Sequence, residues 1–226
     1  MSVEYTIISI GALGRNMLWN EAADVRLQHL TTTLVCDGQY RLLVDPSLPR
    51  EVLLARLYER TGLKPGDISA IFCTTLRPDA RRGIEAFENI PWYCGETEKE
   101  WYSQKLIALQ DSAQRLSPED AANITAELDI VDKFMAAPDK FAPQVSLYPM
   151  AGVTPGCCGL LLTPNTSTAV ITGPAVPTRN HMERGMVWEE CLDLEEALKA
   201  MSELYELADI IIPGFDNICF SPGRMF

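Results

Sequence analysis

The sequence predicts an α/β protein made of two strand-and-helix halves, and three observations carry that prediction. Short aliphatic or β-branched runs, such as VEYTIISI at 3–10 and DIII at 209–212, alternate with longer stretches of helical apolar spacing. The pattern occurs twice, over residues 1 to about 143 and about 144 to 226. Finally, the apolar run Ile68–Cys73 is followed directly by a polar loop, 74–80 (TTLRPDA). A loop at the carboxyl end of a strand is where α/β proteins place their chemistry.

Taken in order, residues 3–10 read as a first strand. Thr31–Cys36 and Arg41–Val44 read as a hairpin across Asp37-Gly38, a strong two-residue turn signal. Glu51–Thr61 has helical spacing, with Gly62 as its C-cap. Ile68–Cys73 is a short buried strand, and a helix is expected from about Arg81. Pro91–Cys94 is the next strand, and Glu96–Trp101 opens a helical region. Ser117-Pro118 supplies an N-cap and a first-turn proline. Residues 121–136 then carry Ile124, Leu128, Val131 and Met135 at helical spacing. Residues 102–143 are therefore expected to be a helical insertion, either covering the site face or a partner surface, or consisting of two ordinary packing helices. In the second half, Gln144–Tyr148 is a strand and Gly159–Leu162 with Ala169–Thr172 a hairpin. Leu194–Leu207 is a helix with Leu194, Ala197, Leu198, Met201, Leu204 and Tyr205 on one face, and Asp209–Ile212 is the last strand.

Composition narrows the function classes. A chain of 226 residues can bury one sizeable core. The net charge of -12 opposes a nucleic-acid backbone or an anionic membrane as partner, since both are polyanions. No apolar run approaches the roughly 18 residues of a membrane span. The start, MSVEYTIISIGALG, has no basic region and is not expected to be a secretory signal. Seven cysteines without a paired framework fit a reducing cytoplasm, which is the expected location. There are only two histidines, His29 and His181.

The order and lengths of the segments resemble the metallo-β-lactamase superfamily over essentially residues 5 to 217. That family carries a strand, T-H-x-H-x-D-H, and a helix opening with Gly. Here Thr74, Pro78, Asp79 and Gly83 match the frame, while Thr75, Arg77 and Ala80 stand at the histidine positions. The family's G-L-x-P-x-D-I before that strand is matched by 62–68 (GLKPGDI). Its V-D-T-G is matched by Val44-Asp45, followed by Pro46-Ser47. Its T-P-G-H-T-P-G keeps Gly152, Thr154, Pro155 and Gly156, with Val153 in place of the ligand. Its Gly-Asp, whose Asp bridges two metals, appears as Gly173-Pro174. Its P-G-H appears as Pro213-Gly214-Phe215. The resemblance implies a single-domain αββα sandwich over 1–226, in which each half contributes a sheet and an outer helix layer.

It also implies a vestigial site at Thr75, Arg77, Asp79, Ala80, Val153, Pro174 and Phe215, of which Asp79 alone keeps a ligand-type side chain. A dizinc hydrolase of that family uses about five imidazoles, and two histidines cannot build it. Arg77 puts a permanent cation where a dication would sit, and the two repel by several kcal/mol at ~4 Å and an effective dielectric of ~20. Zinc is therefore expected to be absent, and with it the metal-bound hydroxide on which such hydrolysis depends. An Arg77–Asp79 ion pair is expected to take over the bracing role and to hold the two halves together. Asp45 either supports the 74–79 loop from behind or forms a local turn before Pro46.

Other groups are weighed for new chemistry. Cys157 and Cys158 follow the site loop, with His181 expected near the rim, so they are either a nucleophile with a base or small buried hydrophobes. Asp216, Glu96 and Glu98 with Asp79 either hold a hard cation through oxygen or are solvated acids. Met182–Trp188 lines a pocket or dimer interface, or packs in the core. Three functions compete: a non-catalytic member acting on a small-molecule or protein partner, a hydrolase of esters, lactones or thioesters with a rebuilt site, and a structural homodimer.

Overall fold

Alternating side chains over Glu4–Ser9 (β1) send Tyr5 and Ile7 toward one face and Glu4, Thr6 and Ile8 toward the other, where Glu4 and Thr6 reach solvent and only Ile8 joins the core, so this strand can sit at a sheet edge. The computed structural model describes residues 2–111 and 117–222. β1 pairs antiparallel with Thr32–Asp37 (β2), which turns through Gly38 into Tyr40–Val44 (β3). Ala70–Phe72 (β4), Trp92–Cys94 (β5) and Phe134–Ala136 (β6) then add in parallel, completing a six-stranded sheet in sequence order. The second sheet has the order β12-β11-β10-β9-β8-β7. Its strands are Lys140–Ala142 (β7), Val145–Pro149 (β8), Cys158–Leu162 (β9), Ala169–Gly173 (β10), Ile210–Pro213 (β11) and Cys219–Phe220 (β12). All its neighbours are antiparallel except β10 and β11.

The two sheets face each other across one apolar layer. Val35, Leu42, Val44 and Phe72 of the first meet Leu160, Leu162, Ile171 and Ile212 of the second. The outer face of the first sheet is covered by three helices, Arg50–Thr61 (α1), Glu96–Asp111 (α2) and Pro118–Asp132 (α3). Leu53, Leu57, Tyr102, Leu106 and Val131 pack there on Ile71, Trp92 and Phe134. The outer face of the second sheet is covered by Leu194–Leu207 (α5), through Ala197, Met201 and Leu204. The result is an αββα sandwich.

The helix ends follow local chemistry. Gly62 closes α1 in the left-handed conformation, Ser117 caps α3 by accepting from Asp120 N, and Asp193 caps α5 by accepting from Glu196 N.

Several expectations are corrected. The chain after Thr75 makes no α-helix at Arg81. Instead it forms two 3-10 turns, Pro78–Ala80 and Ile84–Phe87. Pro78 starts the first turn, and the Arg81 side chain, donating from Nε to Leu76 O, ties the loop back on itself. Of the two readings of residues 102–143, two ordinary packing helices are what forms, within different bounds. α2 already begins at Glu96, α3 stops at Asp132, and Met135 belongs to β6. Both helices are packing helices of the first sheet. The halves divide between β6 and β7, because each of those short strands completes a different sheet. A short helix, Arg179–Glu183 (α4), and the strands β7 and β12 lie where no element was expected.

Candidate functional site: a closed cleft at the sheet ends

The carboxyl ends of β3, β4, β10 and β11 meet at one edge of the sandwich, and their loops touch through backbone. Thr31 N donates to Gly214 O, Gly214 N donates to Val176 O, and Cys158 N donates to Thr74 O. Gly173 sits here at φ +52, and a β-carbon on it would lie 2.1 Å from Thr74 Oγ1. Only glycine supplies both the left-handed backbone and the space.

The loop after β4 is held from behind by two buried carboxylates. Asp45, at the end of β3, accepts from Thr74 N and Thr74 Oγ1, each at 2.8 Å. Its own φ of +48 is a left-handed conformation that Asp tolerates. Burial pushes the Asp45 carboxyl up to about 7, against the opposing pull of the two Thr74 bonds. Glu98, in the first turn of α2, is fully buried. It accepts from Thr75 Oγ1 (2.7 Å), Leu76 N (2.9 Å) and Thr154 Oγ1 (2.5 Å). A carboxylate in a first helical turn also meets the positive end of the helix dipole. Gly156 makes this junction possible, since a β-carbon there would lie 1.9 Å from Glu98 N. Farther out, Arg81 pairs with Glu127 of α3, which also accepts from Tyr102 Oη.

The cleft floor is apolar. Ala80, Val153 and Phe215 come together with Leu13, Leu30 and Trp188 in one small buried cluster. The Trp188 and Phe215 rings lie 5.1 Å apart between centroids, tilted by 59°. Burying side chains of this size stabilises by about 1.5–3 kcal/mol each. Pro174 is also buried, on the chain leaving β10.

Above this floor lies Arg77. Its Nε donates to Asp79 Oδ1 at 3.2 Å, a terminal nitrogen pairs with Glu190 at 3.0 Å, and its guanidinium carbon stands 4.5 Å from the Trp188 ring centroid. Asp79 takes a second bond at 2.5 Å from Gln28. Asp79 and Arg77 come from the first half, and Glu190 and Trp188 from the second, so the constellation spans the cleft.

Thus Thr75, Arg77, Asp79, Ala80, Val153 and Phe215 gather at the sheet ends, with Asp45 behind them. Asp216 stands at the margin, where its carboxylate accepts from Arg179 N and Asn217 N. Cys157 and His181 do not join them. Cys157 packs on the outer face of the second sheet with Met150 and Val170, and burial drives its thiol well above the ordinary range. His181 is not at the rim: it is buried in α4, and its Nδ1 faces Thr178 Oγ1 at 2.8 Å. Burial lowers its pKa, keeping it neutral. The Cys158 thiol is pushed up to about 11, so neither cysteine of the pair is a thiolate near neutral pH. Asp79, Glu98 and Asp216 do not converge as an oxygen cage, each being taken up by its own donors.

Three features escaped sequence reading. The junction role of Glu98, the aromatic cover of Trp188 on Arg77, and the partner Glu190 all depend on contacts over more than 20 residues of separation.

No family model and no curated protein sequence matches the chain. Solved structures do. A Thermotoga maritima protein provisionally named a metallo-β-lactamase superposes with a TM-score of 0.70 at 16% identity, over 97% of this chain and 100% of that one. AidC, a dizinc quorum-quenching lactonase, gives 0.63 at 17% identity, over 91% and 80%. AiiA of B. thuringiensis, as a mutant with N-decanoyl-L-homoserine bound at its active site, gives 0.61 at 19% identity, over 91% and 89%. The chain has the metallo-β-lactamase fold.

The residues at its sheet ends do not fit a dizinc centre. Such a centre needs several nitrogen, sulfur or oxygen donors around each ion. Here the corresponding space is filled by Ala80, Val153 and Phe215, and a guanidinium occupies the polar remainder. Among the described residues, no three His, Cys, Asp or Glu side chains are grouped so as to hold a metal ion. Among them, too, no helix is long and apolar enough to cross a membrane.

Proposed function

We propose that this chain, built on the metallo-β-lactamase fold, is a metal-free, non-catalytic relative of the fold's hydrolases and acts by binding. The observation that carries the reading is the Arg77 constellation. A permanent cation stands at a position the resemblance assigns to a zinc ligand, and it is already satisfied by Asp79, Glu190 and the face of Trp188. Zinc there would have to displace the guanidinium and the apolar floor beneath it. The hydroxyls that do face a carboxylate, Thr74 toward Asp45 and Thr75 toward Glu98, are fully buried and out of a substrate's reach, so among the described residues they offer no usable nucleophile with its base.

The space left beside the Arg77 constellation favours a macromolecular partner over a small ligand. It lies beside Gln28, Trp188 and Glu190, the neighbours of the Arg77–Asp79 pair, and holds about 240 Å3, lined also by Arg15, Asp24 and Glu189. Pockets that enclose drug-sized molecules run from roughly 300 to 1,000 Å3 and are mostly apolar.

The test is hydrolysis of an N-acyl homoserine lactone, an aryl ester and an acyl thioester, with zinc, manganese or iron added in turn and AidC run alongside. The expected result is turnover by AidC and none by this chain above buffer. Saturable turnover that Asp79→Asn abolishes would overturn the reading.

A further inference from the structure

We propose that the groove between the 184–193 loop and α5 binds a basic polypeptide segment through apolar anchors, an inference that rests on the binding function above. The groove holds about 500 Å3, and Met186, Val187, Cys191, Leu194 and Leu198 line it, with Glu189 beside them. It is larger than the space left in the cleft, and it is apolar where the cleft is polar.

The lining is unusual for a surface. Met186, Leu194 and Leu198 are 44, 60 and 40% exposed, although α5 buries its other face fully through Ala197, Met201 and Leu204. Leu194 and Leu198 are one turn apart and stand together on the helix. Contiguous exposed apolar residues rimmed by charge mark interaction sites. Methionine at such a surface adapts to irregular partners.

Charge identifies the occupant. From Glu183 to Lys199 the chain carries six acids (Glu183, Glu189, Glu190, Asp193, Glu195 and Glu196) against two bases, Arg184 and Lys199. Of these acids Glu183 pairs with Arg179, Glu190 with Arg77, and Glu196 lies 3.8 Å from Lys199, so Glu189, Asp193 and Glu195 carry the rim's uncompensated charge. A partner with Lys or Arg around two or three apolar side chains complements this rim. A second copy would bring the same acidic rim and its own net charge of -12, which opposes self-association here. The groove also adjoins the closed cleft, since Trp188 borders it and stacks on Arg77, and Glu190 follows Glu189.

The test uses the full chain and two labelled synthetic peptides read by fluorescence anisotropy, an amphipathic Leu/Lys peptide and the same pattern with Glu for Lys. The Leu/Lys peptide is expected to bind saturably and the Leu/Glu peptide at least about tenfold more weakly. The double variant Met186→Ser/Leu198→Ser and the charge reversal Glu195→Lys/Glu196→Lys should each weaken binding about tenfold. Glu119→Lys/Asp120→Lys on α3 should leave it unchanged. All these side chains are exposed, and if the serine pair lowers Tm, the charge reversal decides.

Absence of saturable binding, or equal loss in the α3 control, overturns the proposal. So does sedimentation of the parent as a dimer that Leu194→Glu/Leu198→Glu dissolves, which assigns the groove to a second copy. Failure here leaves the metal-free reading intact, because hydrolysis is measured without peptide. Turnover of a lactone overturns that reading whatever the peptide does.

Discussion

Arg77 and Trp188 meet across the cleft, the guanidinium carbon 4.5 Å from the indole centroid. One residue comes from the loop after β4 and the other from the loop after α4, so this contact and the Arg77–Glu190 ion pair tie the two halves at the sheet ends.

Removing that tie has a bounded cost. Arg77→Ala deletes a partly buried cation–π contact worth about 0.5–2 kcal/mol. It also leaves Asp79, with its side chain only 10% exposed, held by Gln28 alone. The expected loss is about 2–3 kcal/mol in urea unfolding, with Arg77→Lys intermediate because lysine cannot stack and fork at once. A loss within error for Arg77→Ala would show that the tie is dispensable.

Glu98 is the more sensitive position. Glu98→Gln places an amide N–H2 against one of three donors, two of them threonine hydroxyls and one the Leu76 N–H. Bonds to a charged acceptor contribute about 1.5–3 kcal/mol each. The variant is expected to lose about 2–4 kcal/mol, read as a drop in Tm of roughly 4–16 °C for a chain of this length. Thr154→Val, which removes one donor, should lose less than half as much. Equal losses would contradict the three-way junction.

Asp45 makes stability depend on pH. Its carboxyl is raised from 3.8 to about 7 by burial, so the folded chain holds a proton that the unfolded chain has released. Its contribution is complete below the unfolded value and is lost as pH rises from about 4 to 7, at up to about 1.4 kcal/mol per pH unit. Asp45→Asn keeps an acceptor for Thr74 N and cannot ionise. Relative to the parent, it should gain stability between pH 4 and 7, and the difference should flatten above pH 7. A difference independent of pH would place the Asp45 proton elsewhere.

Strands β1–β5 and β8–β11, α1, α5 and the frame of the site loop were legible because each rests on local pattern. Examples are the Asp37-Gly38 turn, the Gly62 cap, and the spacing of Ala197, Met201 and Leu204. The short motifs around Thr74, Gly152 and Gly214 lie together at one sheet edge, and Pro174 is buried in the turn that follows β10. What was not legible was set by tertiary contact. Met135 continues the helical spacing of Ile124, Leu128 and Val131, but Phe134 is drawn into the first sheet beside Trp92 and the helix stops. Leu194 and Leu198 read as core-facing, yet the groove beside them leaves them in solvent. His181 is expected near the rim because it follows the strand that ends at Gly173. A five-residue helix capped by Thr178 turns the ring inward instead.

The central claim is that Arg77 and the apolar floor stand in place of a metal centre. Elemental analysis of untagged protein purified without chelator tests it most directly, read as zinc, iron and manganese per chain. The account predicts far less than one metal per chain, unchanged after incubation with excess zinc and desalting. One or two tightly held metals per chain would contradict it, and would mean that the guanidinium and Phe215 move aside to form a centre from other donors.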